Sequence, residues 1–247
     1  MKIRMAIGLF YLTGFISPVI NPFAIGMDYI EEMFFTWEDR WPKNLQFDQR
    51  VTIYANNLPV KQSIWHEIIS SPAKLHIRFD GFESGKGVIF LDDHIYSFEN
   101  GVQTERMYRI NQSLLLGFDI YHQDPLITKQ KLGVLGIDFS QSYEFISPDG
   151  TTCVVVGATD TTDLTTPQFW IDKEQLYLVK VITASEGKCT SIQFCNYQLI
   201  CGFPVATTIV FHVNNELFMM EEYYNIVIPS LVDPLIFDPA LFATTKW

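Results

Sequence analysis

VKQSIWHEIISSPAKLHIRFDGFESGKGVIFLDDHIYSFENG, residues 60–101, is the stretch from which the fold is read. In its middle Leu75, Ile77 and Phe79 alternate with His76, Arg78 and Asp80. A period of two sends neighbouring side chains to opposite faces of a half-buried strand. Ser71-Pro72 breaks the chain before this strand, and Gly81, Ser84-Gly85 and Gly87 supply the bend after it. Asp92-Asp93 makes the tight turn into HIYSF, and Glu99-Asn100-Gly101 closes the meander. The runs VIFL and IYSF are apolar at nearly every position, so both of their faces leave water and something besides the sheet covers them. The stretch therefore reads as four β-segments of a curved antiparallel sheet with a covered concave face.

Strand patterns continue on both sides. LQFDQRVTIYANN (45–57) alternates and ends in an Asn-Asn turn before Pro59, and QTERMYRI (103–110) alternates again. Farther on, YEFISPDGTTCVVVGATD and PQFWIDKEQLYLVKVIT each read as a hairpin, and residues 188–228 give three more strands with Asn214-Asn215 as a tight turn. Two segments depart from the period of two. Residues 27–41 space Ile30, Met33, Phe34 and Trp37 by three and four, with Glu31, Glu32 and Asp39 outward, as an amphipathic core-packing helix. Residues 111–139 carry Leu114, Leu115, Leu116 and Phe118 in one short apolar piece and Leu126, Ile127, Leu132 and Leu135 in a second, opened by Asp124-Pro125 as N-cap and first helical residue. Two short helices between runs of strands suit either a lid across the concave face or a helical crossover packed on the core. The tail, SLVDPLIFDPALFATTKW, has two Asp-Pro breaks and is expected to run irregularly along the sheet edge.

Charged residues make up 18% of the chain, below the roughly 25% of average globular proteins, while aromatics reach 15%. That balance calls for a generous core or an internal cavity. A net charge of −11 without a basic block leaves no stripe for phosphates, so nucleic acid is not an expected partner. Lys2 and Arg4 followed by an uncharged run to Asp28 spell a secretory signal peptide over 1–24, leaving one domain over 25–247. Pro18, Asn21 and Pro22 make that run a poor permanent membrane span, the alternative being an uncleaved anchor. The cysteines Cys153, Cys189, Cys195 and Cys201 contain no Cys-x-x-Cys, and no pairing is assigned. Cys153, inside CVVVG, reads as a buried small hydrophobe.

Reaction chemistry is missing from the sequence. No serine sits in Gly-x-Ser-x-Gly, and Gly81–Gly87 fails as a phosphate loop because Asp80 and Gly87 stand where a glycine and a Ser or Thr are needed. The five histidines lack metal-ligand spacing, and Asp92-Asp93-His94, like Asp160 and Asp163, reads as a solvated turn. Glu221 and Glu222 are adjacent on a strand and point to opposite faces. No enzyme, metal or cofactor is expected. A transmembrane barrel is disfavoured too, since Trp247, Thr245, Ala243 and Leu241 do not form an alternating apolar last strand.

In order and spacing the segments resemble the LolA-like family of outer-membrane lipoprotein-sorting proteins. The likeness rests on Trp65-His-Glu, Pro72-Ala-Lys-Leu-His-Ile, Gly87-Val-Ile-Phe-Leu-Asp-Asp, Ile95-Tyr-Ser-Phe, Leu114-Leu-Leu-Gly-Phe-Asp, Pro167-Gln-Phe-Trp-Ile-Asp-Lys-Glu and Leu235-Ile-Phe-Asp-Pro, and covers the chain from about Met27 on. The resemblance implies a mainly β fold, an unclosed antiparallel β-barrel with short helices lidding the concave apolar face. It also implies a non-enzymatic periplasmic carrier of the acyl chains of lipoproteins or other lipids, between an inner-membrane donor and an outer-membrane acceptor protein. The alternative is an envelope-assembly or protein-binding module on the same half barrel. Trp65, Phe90, Leu114, Leu115, Leu116, Phe118 and Trp170 are the candidate cavity or lid residues. One position departs from the family pattern: Ser71 stands where the well-studied carriers hold their lid with an arginine, and Arg50 and Arg78 are the candidate substitutes.

Overall fold

The computed structural model describes residues 22–185 and 187–247. Most of the expected leader, residues 1–21, lies outside the described residues, and no described helix is long and apolar enough to cross a membrane. Helix α1 (Pro22–Trp37) is followed by six strands, β1 (Asn44–Ala55), β2 (Leu58–Ser70), β3 (Lys74–Phe79), β4 (Lys86–Leu91), β5 (His94–Glu99) and β6 (Val102–Tyr108). Helices α2 (Gln112–Gly117) and α3 (Pro125–Val134) then flank a 3₁₀ turn at Asp119–Tyr121. Strands β7 (Ser142–Ile146), β8 (Thr152–Val156), β9 (Gln168–Asp172), β10 (Leu178–Ser185), β11 (Lys188–Ile200), β12 (Phe203–Val213) and β13 (Glu216–Val227) complete the sheet.

All 13 strands join one antiparallel sheet in the order β6-β5-β4-β3-β2-β1-β13-β12-β11-β10-β9-β8-β7. Its two edges, β6 and β7, do not pair, so the barrel is open. The turn chemistry fixes the hairpins. Asn56-Asn57, Asp92-Asp93, Asn100-Gly101 and Asn214-Asn215 all have both residues at positive φ, the handedness that matches the twist of two-residue hairpins. Gly87 is needed for space rather than for φ. A Cβ there would lie 2.1 Å from the Ile77 carbonyl oxygen on β3, so Gly87→Ala is expected to cost about 1–3 kcal/mol, read as a lower urea midpoint.

The sheet has a cover on each face. On the inner side α1, α2, the 3₁₀ turn and α3 pack on the second half of the sheet. Ile30, Met33, Leu115, Leu116, Tyr121 and Leu132 join Phe169, Ile171, Val181 and Ile209 in one buried cluster. Trp41 stacks on Tyr121 with ring centroids 3.8 Å apart. Asp124 caps α3 as its sequence proposes, its Oδ1 accepting the Leu126 N–H at 2.8 Å.

The outer cover corrects two expectations. The tail does not follow the sheet edge; its two 3₁₀ turns, Pro234–Phe237 and Pro239–Leu241, lie across the outer face of β3, β4 and β5. Phe242 stacks on Phe98 at 3.8 Å and closes a cluster with Ile89. Arg78 is not on a solvated face: it is 1% exposed, donates to the Phe242 and Thr245 carbonyls at 2.6 and 2.9 Å, and lies 3.8 Å over the Phe242 ring. His76 is equally buried, with Nδ1 2.7 Å from the Ile236 carbonyl. The physical reason is that tail carbonyls left unpaired by the two Asp-Pro breaks need donors, and the polar face of β3 supplies them. VIFL is apolar on both sides because both sides are covered.

Candidate functional site: a lidded cavity on the inner face

Between the first-half strands and α2 the inner face is not filled. It leaves a cavity of about 380 Å³, at the low end of the roughly 300–1,000 Å³ usual for ligand pockets. The period of two along each strand delivers its walls. Leu75, Ile77 and Phe79 come from β3, Val88 and Phe90 from β4, and Ile95 from β5. Across the opening, Phe194, Ile209, Phe211 and Met219 come from β11, β12 and β13. Leu114 in α2 and Phe118 directly after it close it from above.

Of the residues singled out from sequence, Trp65, Phe90, Leu114 and Phe118 line this cavity. Trp65 leans on Phe79 with centroids 4.4 Å apart. Leu115 and Leu116 sit in the same lid helix but point into the packed core. Trp170 stands apart from all of them. On β9 the inward residues are Phe169 and Ile171, so Trp170 shares the outer face with Gln168, whose Oε1 accepts its indole N–H at 2.7 Å, and with Lys180, whose Nζ lies 4.4 Å over its ring. The alternation Gln168-Trp170-Asp172 against Phe169-Ile171 carries that signal in the sequence.

The lid is tied at four places. The Asn111 side chain caps α2 through the Leu114 N–H at 3.1 Å. Lys131 reaches Asp93 in the β4–β5 turn at 2.7 Å, and Lys129 pairs with Glu31 of α1. The fourth tie sits beside Ser71. Asp119, in the turn after α2, accepts the Ala73 N–H at 3.0 Å while 3% exposed. Neither candidate arginine serves here: Arg50 is exposed and faces Glu222 at 3.5 Å, and Arg78 lies under the tail. Where an arginine would project from the sheet to the lid, a carboxyl projects from the lid to the sheet. Burial pushes that carboxyl up to about 7, opposed by the Ala73 N–H.

Three polar side chains sit on the inner wall, and their meeting is the feature missed from sequence. Gln49 on β1 is fully buried between Trp65 of β2 and Tyr223 of β13 in the register. Its Nε2 donates to Glu67 Oε1 at 2.6 Å, while its Oε1 has no partner. Glu67 and Glu221 both line the cavity and are 5% and 7% exposed. The Tyr223 hydroxyl donates to Glu221 Oε2 at 3.4 Å. Burial raises both carboxyls, Glu221 to about 8, and the Glu221 charge raises Glu67 further. Glu67 has the parity of Trp65 and Ile69, and Glu221 that of Met219 and Tyr223, but only the β1–β13 pairing brings the two together.

Among the described residues no three His, Cys, Asp or Glu side chains converge as metal ligands. Asp160 and Asp163 each accept from threonines two or three residues on, as turn residues do. All four thiols are free, with Cys153 buried.

An open antiparallel sheet, a helical lid and an apolar cavity between them make a lidded half barrel. The scaffold is the LolA-like fold. No family model and no curated protein matches the chain, but solved structures do. A DUF1329 family protein from Desulfovibrio piger superposes with a TM-score of 0.61 at 14% identity, over 90% of this chain and 99% of that one. An outer membrane lipoprotein-sorting protein domain from Vibrio parahaemolyticus gives 0.58 at 11%, over 90% and 99%. A LolA superfamily protein from Nitrosomonas europaea gives 0.52 at 12%, over 83% and 96%.

Proposed function

We propose that this chain is a non-enzymatic periplasmic carrier that shelters an acyl chain of a lipoprotein or other lipid. On this reading the segment 1–24 is its export signal. The carrier takes cargo from an inner-membrane donor protein and yields it to an outer-membrane acceptor protein. The observation that supports the reading is the cavity: about 380 Å³, walled by apolar side chains and closed by Leu114 and Phe118 of a lid held by polar ties. Each methylene withdrawn from water contributes about 0.8 kcal/mol, so roughly ten supply about 8 kcal/mol, a micromolar affinity, less the cost of opening the lid. Phe118, Trp65 and Phe90 are the residues assigned to grip the chain.

Native mass spectrometry with lipid extraction tests this on protein isolated from a periplasmic fraction without detergent. The expected result is a co-purifying acylated species, absent from a folded Phe118→Asp variant because an unpaired carboxylate now faces the chain. A clean apo mass that takes up no added fatty-acyl probe overturns the proposal. The half barrel then reads as a protein-binding module.

A further inference from the structure

An apolar cavity meant only for hydrocarbon has no use for two buried carboxyls on its wall. Desolvating a carboxyl is costly unless a partner compensates, and here the compensation is incomplete. Gln49 serves Glu67 through its NH₂ group, its carbonyl oxygen is unpartnered and fully buried, and Glu221 receives only the long Tyr223 hydroxyl contact. Burial raises both carboxyls, so near neutral pH the pair holds a proton that an entering cation can displace to water. The other titratable groups lining the cavity are Tyr223 and Arg109, the latter on the segment leading into α2, while Lys and His side chains are not part of the wall.

We propose that the cavity selects amphiphiles carrying a hydrogen-bond-donating amino head group, seated as an ammonium on Glu67 and Glu221 with its chain toward Phe90 and Phe118. The inference rests on the carrier reading and narrows its cargo. An entering ammonium displaces the proton held by the pair, and its N–H groups then donate to the Glu67 and Glu221 carboxylate oxygens that face the cavity. A fatty acid of equal length brings a third carboxyl to the same wall and no cation to displace the pair's proton. Charge-assisted hydrogen bonds are worth about 1.5–3 kcal/mol, so the amine is expected to bind roughly tenfold or more above an uncharged alcohol of the same chain.

The test is displacement of an environment-sensitive apolar dye from the full mature protein by dodecylamine, dodecanol and dodecanoic acid at pH 7. Amine binding at least tenfold tighter than alcohol, with the acid weakest, is the expected order. In the Glu67→Gln/Glu221→Gln double variant the amine should lose its advantage over the alcohol. Circular dichroism and retained dye binding show that the variant still folds. Equal binding of amine and acid, or a preference that survives the double substitution, overturns the head-group inference and leaves the carrier standing. Failure of all three amphiphiles to displace the dye removes both.

Discussion

Raising the pH from 6.5 to 8.5 is expected to lower the unfolding free energy by about 2–3 kcal/mol. The groups responsible are buried acids. Asp119 is pushed up to about 7 and Glu221 to about 8 by burial, and Glu67 moves the same way. A carboxyl whose folded-state pKa is raised binds its proton more tightly folded than unfolded. Its stabilising contribution is complete below the unfolded value, near 4, and is lost as pH rises through the folded value. Below about 6.5 the slope is opposed by His76, which burial holds down to about 3 and which the unfolded chain protonates first. Above 6.5 that opposition is gone and the acids act alone. Urea unfolding at the two pH values measures the difference. Glu221→Gln should remove more than half of it and leave the variant more stable than the parent at pH 8.5. A flat or rising profile over this interval would show that these carboxyls are solvated.

Phe242→Ala is expected to cost about 3–5 kcal/mol, an effect large for a residue five positions before Trp247. Its ring is 1% exposed, stacks on Phe98, and forms the face over which the Arg78 guanidinium lies. Truncation leaves Ile89 and Phe98 beside a void and takes from Arg78 the surface that shields it. Phe242→Leu should recover much of the loss in apolar packing and none of the cation–π contact. Thermal unfolding followed by circular dichroism reads both. A loss under 1 kcal/mol for the alanine variant would mean the tail merely drapes the sheet.

The strands and most turns were legible because they depend on neighbours in the sequence. Asn-Asn and Asp-Asp pairs fix their own φ, and Leu75, Ile77 and Phe79 announce one face without reference to the other. The burial of His76 and Arg78 was not legible, because alternation marks which side chains share a face, not whether that face meets water. Their partners are backbone carbonyls some 160 residues on, which leave no pattern in local sequence. The same limit hid the carboxyl pair. Glu221 was weighed against its neighbour Glu222, whereas its true companion lies two strands away on β2. Trp170 is a different case: it was singled out as a cavity or lid residue, although the alternation of Gln168, Trp170 and Asp172 against Phe169 and Ile171 was already in the sequence.

Within the strand order, every neighbouring pair is also consecutive along the chain except β1 with β13. Residues 44–108 and 142–227 are thus two local meanders, each able to zip from hairpin to hairpin. The pairing of Gln46 with Val227 joins them across nearly the whole sequence. Closing so long a loop carries the largest entropic cost in the fold, which makes this seam the natural last step of folding. Glu67 stands on one side of it and Glu221 on the other, so the binding chamber has no precursor in either half. On the carrier reading a nascent chain consequently cannot trap cargo before its final strand is in place, and a half-made molecule exposes apolar wall without enclosing anything.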